Sequence, residues 1–318
     1  MTTVVRRSCL ALLALYGAYA GLWGYLAPGS WYRSFPGFGM SWVAPFGPYN
    51  EHFVKDISAM FLGLAVLAVV AFCWIGTRML TYLAGATWLT FNVLHTVYHL
   101  RHLDMFVPTQ RSIGVLSLVL VVLLAALLLV PVREPLVPAP VDVRPRTGQR
   151  VVLAILFLAG VGTGFWAYFA PHAWYATFPG FGHSWLPQLG PYNEHFAVDV
   201  GGMFLGYAVL SLIAFIRVRE VRVVRAAGVA WLVFNALHLI YHLTMLGMYR
   251  PADQVLNVVS LVILLVLPVF LLISTDRVRR THVDRTQSRN AAAAGPVRVG
   301  SGRVPGHDAP GNGEQEGS

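Results

Sequence analysis

Two polar groups in this chain have the residue types and spacing of an ion-binding site. His52 and Asp56 are four residues apart, and Asn92, His95 and His99 follow one another at spacings of three and four. On an α-helix such positions share a face. The same types return 143 residues later as His195 and Asp199, then Asn235, His238 and His242. Imidazoles with a carboxylate form the nitrogen/oxygen donor set that suits zinc, copper or non-haem iron, and histidines at i and i+4 can clamp one ion from a single helix. A third ligand from a neighbouring helix leaves a position open for water or substrate. Glu51 and Glu194, each beside a histidine, are candidate catalytic bases or outer partners, and Asn92 and Asn235 are candidates to orient an imidazole. Haem ranks second, since two histidines one turn apart on one helix suit a compact ion better than a macrocycle.

The elements that must carry these residues are apolar and occur twice. Gly47-Pro48-Tyr49-Asn50-Glu51-His52-Phe53 recurs as Gly190 to Phe196, and Phe35-Pro36-Gly37-Phe38-Gly39 as Phe178 to Gly182, with no insertion between the copies. The chain is 56% hydrophobic and 12% charged, with a mean hydropathy of +0.61. Apolar runs able to cross roughly 30 Å of hydrocarbon fall at about 8–27, 53–75, 79–100 and 112–131, and again at about 151–170, 196–216, 223–245 and 254–274. The fold expected is an all-α, polytopic membrane protein. Its eight transmembrane helices form two tandem four-helix bundles, related by a pseudo-twofold axis along the membrane normal. Repeat one covers 1–132, a Pro- and Arg-rich linker 133–149, repeat two 150–275 and a disordered basic tail 276–318. Within a repeat, the short turn at Gly76-Thr77-Arg78 makes helices two and three antiparallel neighbours. That sets His52 level with His99, and Asp56 level with His95.

The formal charge of +9 could suggest nucleic acid, but its placement argues for topology instead. The arginines concentrate at the termini, in the linker and between the second and third helices of each repeat, which by the positive-inside rule makes both termini of a cell-membrane protein cytoplasmic. The polar sites then face outward. The repeat also weighs against cleavage of the N-terminal apolar run as a signal peptide, because its counterpart lies mid-chain. Two cysteines, Cys9 and Cys73, have no repeat counterparts and support neither a disulfide framework nor a thiolate metal site.

Other readings compete with a metal. A polar cluster between helices can simply fix their packing, and Asn50 and Glu51 can serve as a helix cap. A transporter or proton-coupled carrier is a further alternative, opposed by the crowding of ionisable residues at one membrane face. Trp31, Trp42, Trp174 and Trp185 suit a headgroup belt or, more sharply, a lid over the histidines. Ala59/Gly63 and Gly202/Gly206 are small pairs that allow close helix packing. Lys55 and Arg101, against Val198 and Thr244, should make the first site the more electropositive. The stretch Asp56-Ile57-Ser58-Ala59-Met60-Phe61-Leu62-Gly63, matched by Asp199 to Gly206, resembles the DoxX-like group of bacterial four-helix membrane proteins. That resemblance implies a four-span unit, in a group of which some members associate with quinone-linked or thiol redox systems. It carries no catalytic assignment, and the helix-three histidines lie outside it. The lipid bilayer is the one partner expected, with a lipid-like or small-molecule ligand at the outer face.

Overall fold

A computed structural model describes residues 2–131 and 146–273. The expected linker up to residue 145 and the basic tail from 276 lie outside the described residues. The chain forms α1 (Thr3–Leu26), α2 (Pro28–Ser34), α3 (Glu51–Cys73), α4 (Arg78–Arg101), α5 (Pro108–Leu127), α6 (Thr147–Phe169), α7 (Pro171–Thr177), α8 (Glu194–Ile216), α9 (Val221–Thr244) and α10 (Pro251–Ile273). Thr147–Gln149, expected as linker, is therefore the first turn of α6.

Seven of these helices are long and apolar enough to cross a membrane. The remaining long one, α4, has 24 residues but falls below that apolarity: α9 carries the same Asn-His-His face and passes, whereas α4 has Thr81, Thr87, Thr90 and Thr96 where α9 has Val224, Ala230, Val233 and Leu239. It corresponds to the span expected at 79–100.

Local chemistry sets the helix ends. Proline opens α2, α5 and α7, where its missing N–H goes unneeded and its φ is already helical. Asn50 and Asn193 cap α3 and α8, each accepting from the backbone N–H three residues on at 3.1 Å. Between α2 and α3 the chain makes a small hairpin, β1 (Pro36–Gly37) against β2 (Met40–Ser41). Pro179–Gly180 (β3) and His183–Ser184 (β4) repeat it. Gly37 and Gly39 sit at φ of +91° and +75°, a region open to glycine at little cost. Phe38, between them, also has positive φ and is exposed.

The repeats interlock, which corrects the expectation of two self-contained bundles. α3 packs against α1 of its own repeat and α9 of the other, and α8 packs against α6 and α4. Both of these cross-repeat seams are more extensive than the α3–α4 or α8–α9 contact within a repeat. Small residues make this possible: a Cβ added to Gly63 would stand 2.0 Å from the Tyr207 hydroxyl and 2.7 Å from the Ala230 carbonyl, and one on Gly206 3.1 Å from the Thr87 carbonyl. Polar stitches also join the two repeats in reciprocal pairs. Asn50 Nδ2 donates to Pro191 O at 2.8 Å and Asn193 Nδ2 to Pro48 O at 2.9 Å. Tyr25 likewise donates to Leu237 O and Tyr168 to Leu94 O. The asparagine that caps each helix thus also ties it to the other repeat.

Candidate metal centre

The interlocked seams decide which histidines meet. His52 and Asp56 point from the first two turns of α3 towards the last turns of α9, where His238 and His242 lie. His52 Nε2 is 3.0 Å from His242 Nε2 and 3.1 Å from Asp56 Oδ2, while Asp56 Oδ1 takes His238 Nδ1 at 2.6 Å. The second cluster mirrors it. His195 Nε2 is 3.2 Å from His99 Nε2 and 3.2 Å from Asp199 Oδ2, and Asp199 Oδ1 takes His95 Nδ1 at 2.6 Å. All eight predicted ligand residues therefore fall in two clusters, but each cluster draws on both repeats. The pairing of His52 with His99 and Asp56 with His95 is corrected: each repeat's second helix faces the other repeat's third.

Ligand-capable atoms of His52, Asp56, His238 and His242 lie within 4.8 Å of one another, as do those of His95, His99 and His195. Asp199 stands just outside the second group, holding His95. Six of the eight side chains are buried; His95 and His238 are partly so. For two neutral imidazoles one proton can bridge the Nε2 atoms, yet Asp56 Oδ2 crowds the same point. Either one ring carries its proton on Nε2 and shares it with the neighbouring nitrogen and carboxylate, or a cation takes that place. Nδ1 of His52, His99 and His195 has no hydrogen-bond partner among the described residues.

Glu51 and Glu194 do not join the clusters. Both are exposed in the first turn of α3 and α8, where an acid complements the helix dipole. Adjacent helical residues do not share a face, so a glutamate beside an inward histidine must look elsewhere. Glu51 Oε2 accepts from the Tyr49 hydroxyl at 3.4 Å. Burial and then this carboxylate push the Tyr49 phenol up to about 12; burial and Glu194 do the same for Tyr192. Asn92 and Asn235 also depart from expectation. Asn92 donates to Trp88 O and Asn235 to Leu264 O, both at 2.8 Å, rather than to an imidazole.

Each cluster lies in the wall of a predominantly apolar cavity. The cavity beside His95, His99, His195 and Asp199 measures about 390 Å³, and that beside His52, Asp56, His238 and His242 about 220 Å³. Trp31 and Trp42 line the first, Trp174 and Trp185 the second, so the outer-loop tryptophans do lie against the cavities beside the histidines. The expected electropositive bias of one site is divided instead. Lys55 shares α3 with His52 and Asp56, donating to Tyr25 O at 2.7 Å, whereas Arg101 shares α4 with His95 and His99.

Several features escaped the sequence reading. His183, which has no histidine counterpart in the first copy, takes Asp253 Oδ1 at 2.6 Å, and Trp185 Nε1 donates to the same oxygen at 2.9 Å. Tyr249 reaches His242 Nδ1 at 3.5 Å. The available signal was departure from the first copy: His183, Asp253 and Tyr249 replace Met40, Gln110 and Phe106 at the same offset. The chain matches no family model, no curated protein and no solved structure.

Proposed function

We propose that this is an eight-span cell-membrane protein, with cytoplasmic termini and repeats related by a pseudo-twofold axis along the membrane normal, that holds two metal ions near its outer face. Each ion is bound by one histidine of one repeat and two of the other: His52 with His238 and His242, and His195 with His95 and His99. Asp56 and Asp199 each orient a partner histidine through its Nδ1, which leaves that ring's Nε2 to coordinate. This carboxylate–imidazole arrangement is the usual outer support of a metal ligand. Asp56 also stands near enough to ligate directly.

The observation that carries this reading is the approach of His52 Nε2 to His242 Nε2 at 3.0 Å and of His195 Nε2 to His99 Nε2 at 3.2 Å. Nitrogen atoms bound tetrahedrally at about 2.0–2.1 Å from zinc lie about 3.3 Å apart, so small adjustments admit an ion. A three-imidazole set leaves a fourth position open, and a metal there can activate water or hold an oxygen of a lipid-like substrate for hydrolytic or redox chemistry. With Glu51 and Glu194 outside the clusters, any general base must be one of the clustered groups or metal-bound water.

A second reading, a proton relay, rests on the unbroken run His95–Asp199–His195–His99. The two are separated by elemental analysis of detergent-purified protein beside a His95/His99/His238/His242→Ala variant. The metal reading expects about two ions per chain in the parent and none in the folded variant. A parent that stays metal-free after incubation with zinc, copper or iron sinks it and leaves the relay.

A further inference from the structure

The two cavities are not equivalent, and the difference concerns access. Cavity one runs between α1 and α5, the two helices of repeat one that flank the lid, and three of its lining residues also face outward. Leu12 is 50%, Tyr19 46% and Leu120 53% exposed. On apolar helices such residues meet lipid, so the wall of this cavity reaches the lipid-facing surface. Cavity two, between α6 and α10, has no exposed lining residue. Its lid residue Trp185 is tied to α10 through Asp253, which His183 also grips. In the first copy Met40 and Gln110 stand in place of His183 and Asp253.

The inner ends differ as well. Gly114 lines cavity one, where an added Cβ would meet only Phe106 at 3.4 Å. Asn257 and Tyr249 occupy the corresponding places in cavity two, beside His242. Cavity one thus falls within the roughly 300–1,000 Å³ of small-ligand sites and cavity two falls below it.

We infer that cavity one is the substrate chamber, and that it takes a bilayer-dissolved, single-chain amphiphile with an oxygen headgroup, a long-chain alcohol or acid, entering through the α1–α5 seam. The chain lies along Leu12, Tyr16, Leu120 and Leu124, and the head reaches His95, His99 and His195 at the inner wall. Apolar walls reward the chain by removing it from competing contacts only where shape fits, so the polar end supplies selection. Cavity two is the smaller, latched site, which holds its ion without admitting the chain. This deepens the metal reading and rests on it only for the role of the head.

The test uses the full chain in lipid nanodiscs with photoreactive long-chain alcohol, acid and headless alkane probes. Cross-linked peptides are mapped, and metal content is measured on the same samples. The expected result is labelling of α1 and α5 by the alcohol, the acid or both, with α6 and α10 at background. Gly114→Leu, which fills the inner end, should abolish it. Leu120→Trp, at a lipid-facing position where folding is not at stake, should abolish it by closing the seam. Equal labelling of both cavities, equal labelling by the alkane, or labelling unchanged in both variants overturns the inference. Metal-free protein still labelled in α1 and α5 overturns the metal reading alone.

Discussion

If His52 and His242 hold the same ion, removing either should weaken that ion and spare the other. Closed four-ligand zinc sites bind with apparent free energies of about 10–16 kcal/mol. Each ligand therefore contributes about 2.5–4 kcal/mol, or roughly 10²–10³-fold in dissociation constant. His52→Ala and His242→Ala should each cost one of two ions that factor. The double variant should lose the ion altogether while His99 and His195, 3.2 Å apart, keep theirs at parental affinity. His52→Ala combined with His99→Ala should damage both ions. Competition titration against a chelator, with the ions counted per chain, reads all four variants. The reasoning is refuted if His52→Ala/His99→Ala retains one ion at full affinity, because the second and third helices of one repeat would then make a site together.

Further outcomes follow from the same contacts. Asp56→Ala, which removes the 2.6 Å pairing with His238, should weaken one ion by about 10–100-fold in the same titration, leaving the other alone. Asn50→Ala removes a helix cap and a cross-repeat hydrogen bond, for a loss of about 2 kcal/mol in detergent unfolding; Asn50→Asp, keeping only the cap, should fall between variant and parent. Gly63→Ala drives a methyl into Tyr207 and should cost about 1–3 kcal/mol; since the Tyr207 hydroxyl is the nearest atom, Tyr207→Phe should recover part of the loss. Coordinating imidazoles must be neutral, so ion content should be full at neutral pH and fall as the solution is acidified, measured after equilibrium dialysis.

Periodicity carried the reading a long way for particular residues. The i, i+4 spacing put His52 and Asp56 on one face of α3, and the asparagine before each glutamate marked the helix start, as the caps bear out. What periodicity cannot state is which neighbour a face meets. His52, Asp56, Ala59 and Gly63 lie on a single stripe of α3, and Gly63 abuts α8 and α9. Read together, the small pair and the ligands had to face the same partner, yet nothing in the local sequence chose α9 over α4. A short turn favours adjacency in sequence, and here tertiary packing across the repeats overrode it. The placement of Glu51 and Glu194 was legible and was missed: a residue next to an inward-facing histidine is rotated away from the site. The latch of His183 on Asp253 lay hidden because 70 residues separate its halves, and only their joint departure from the first copy connects them.

The central claim is that both repeats contribute to each ion site. An anomalous-difference map from crystals of the zinc-loaded protein, recorded at the zinc edge, tests it most directly. The account predicts two peaks, one enclosed by His52, His238 and His242 and the other by His195, His95 and His99. Peaks enclosed by residues of a single repeat, or no peak at either cluster, would contradict it.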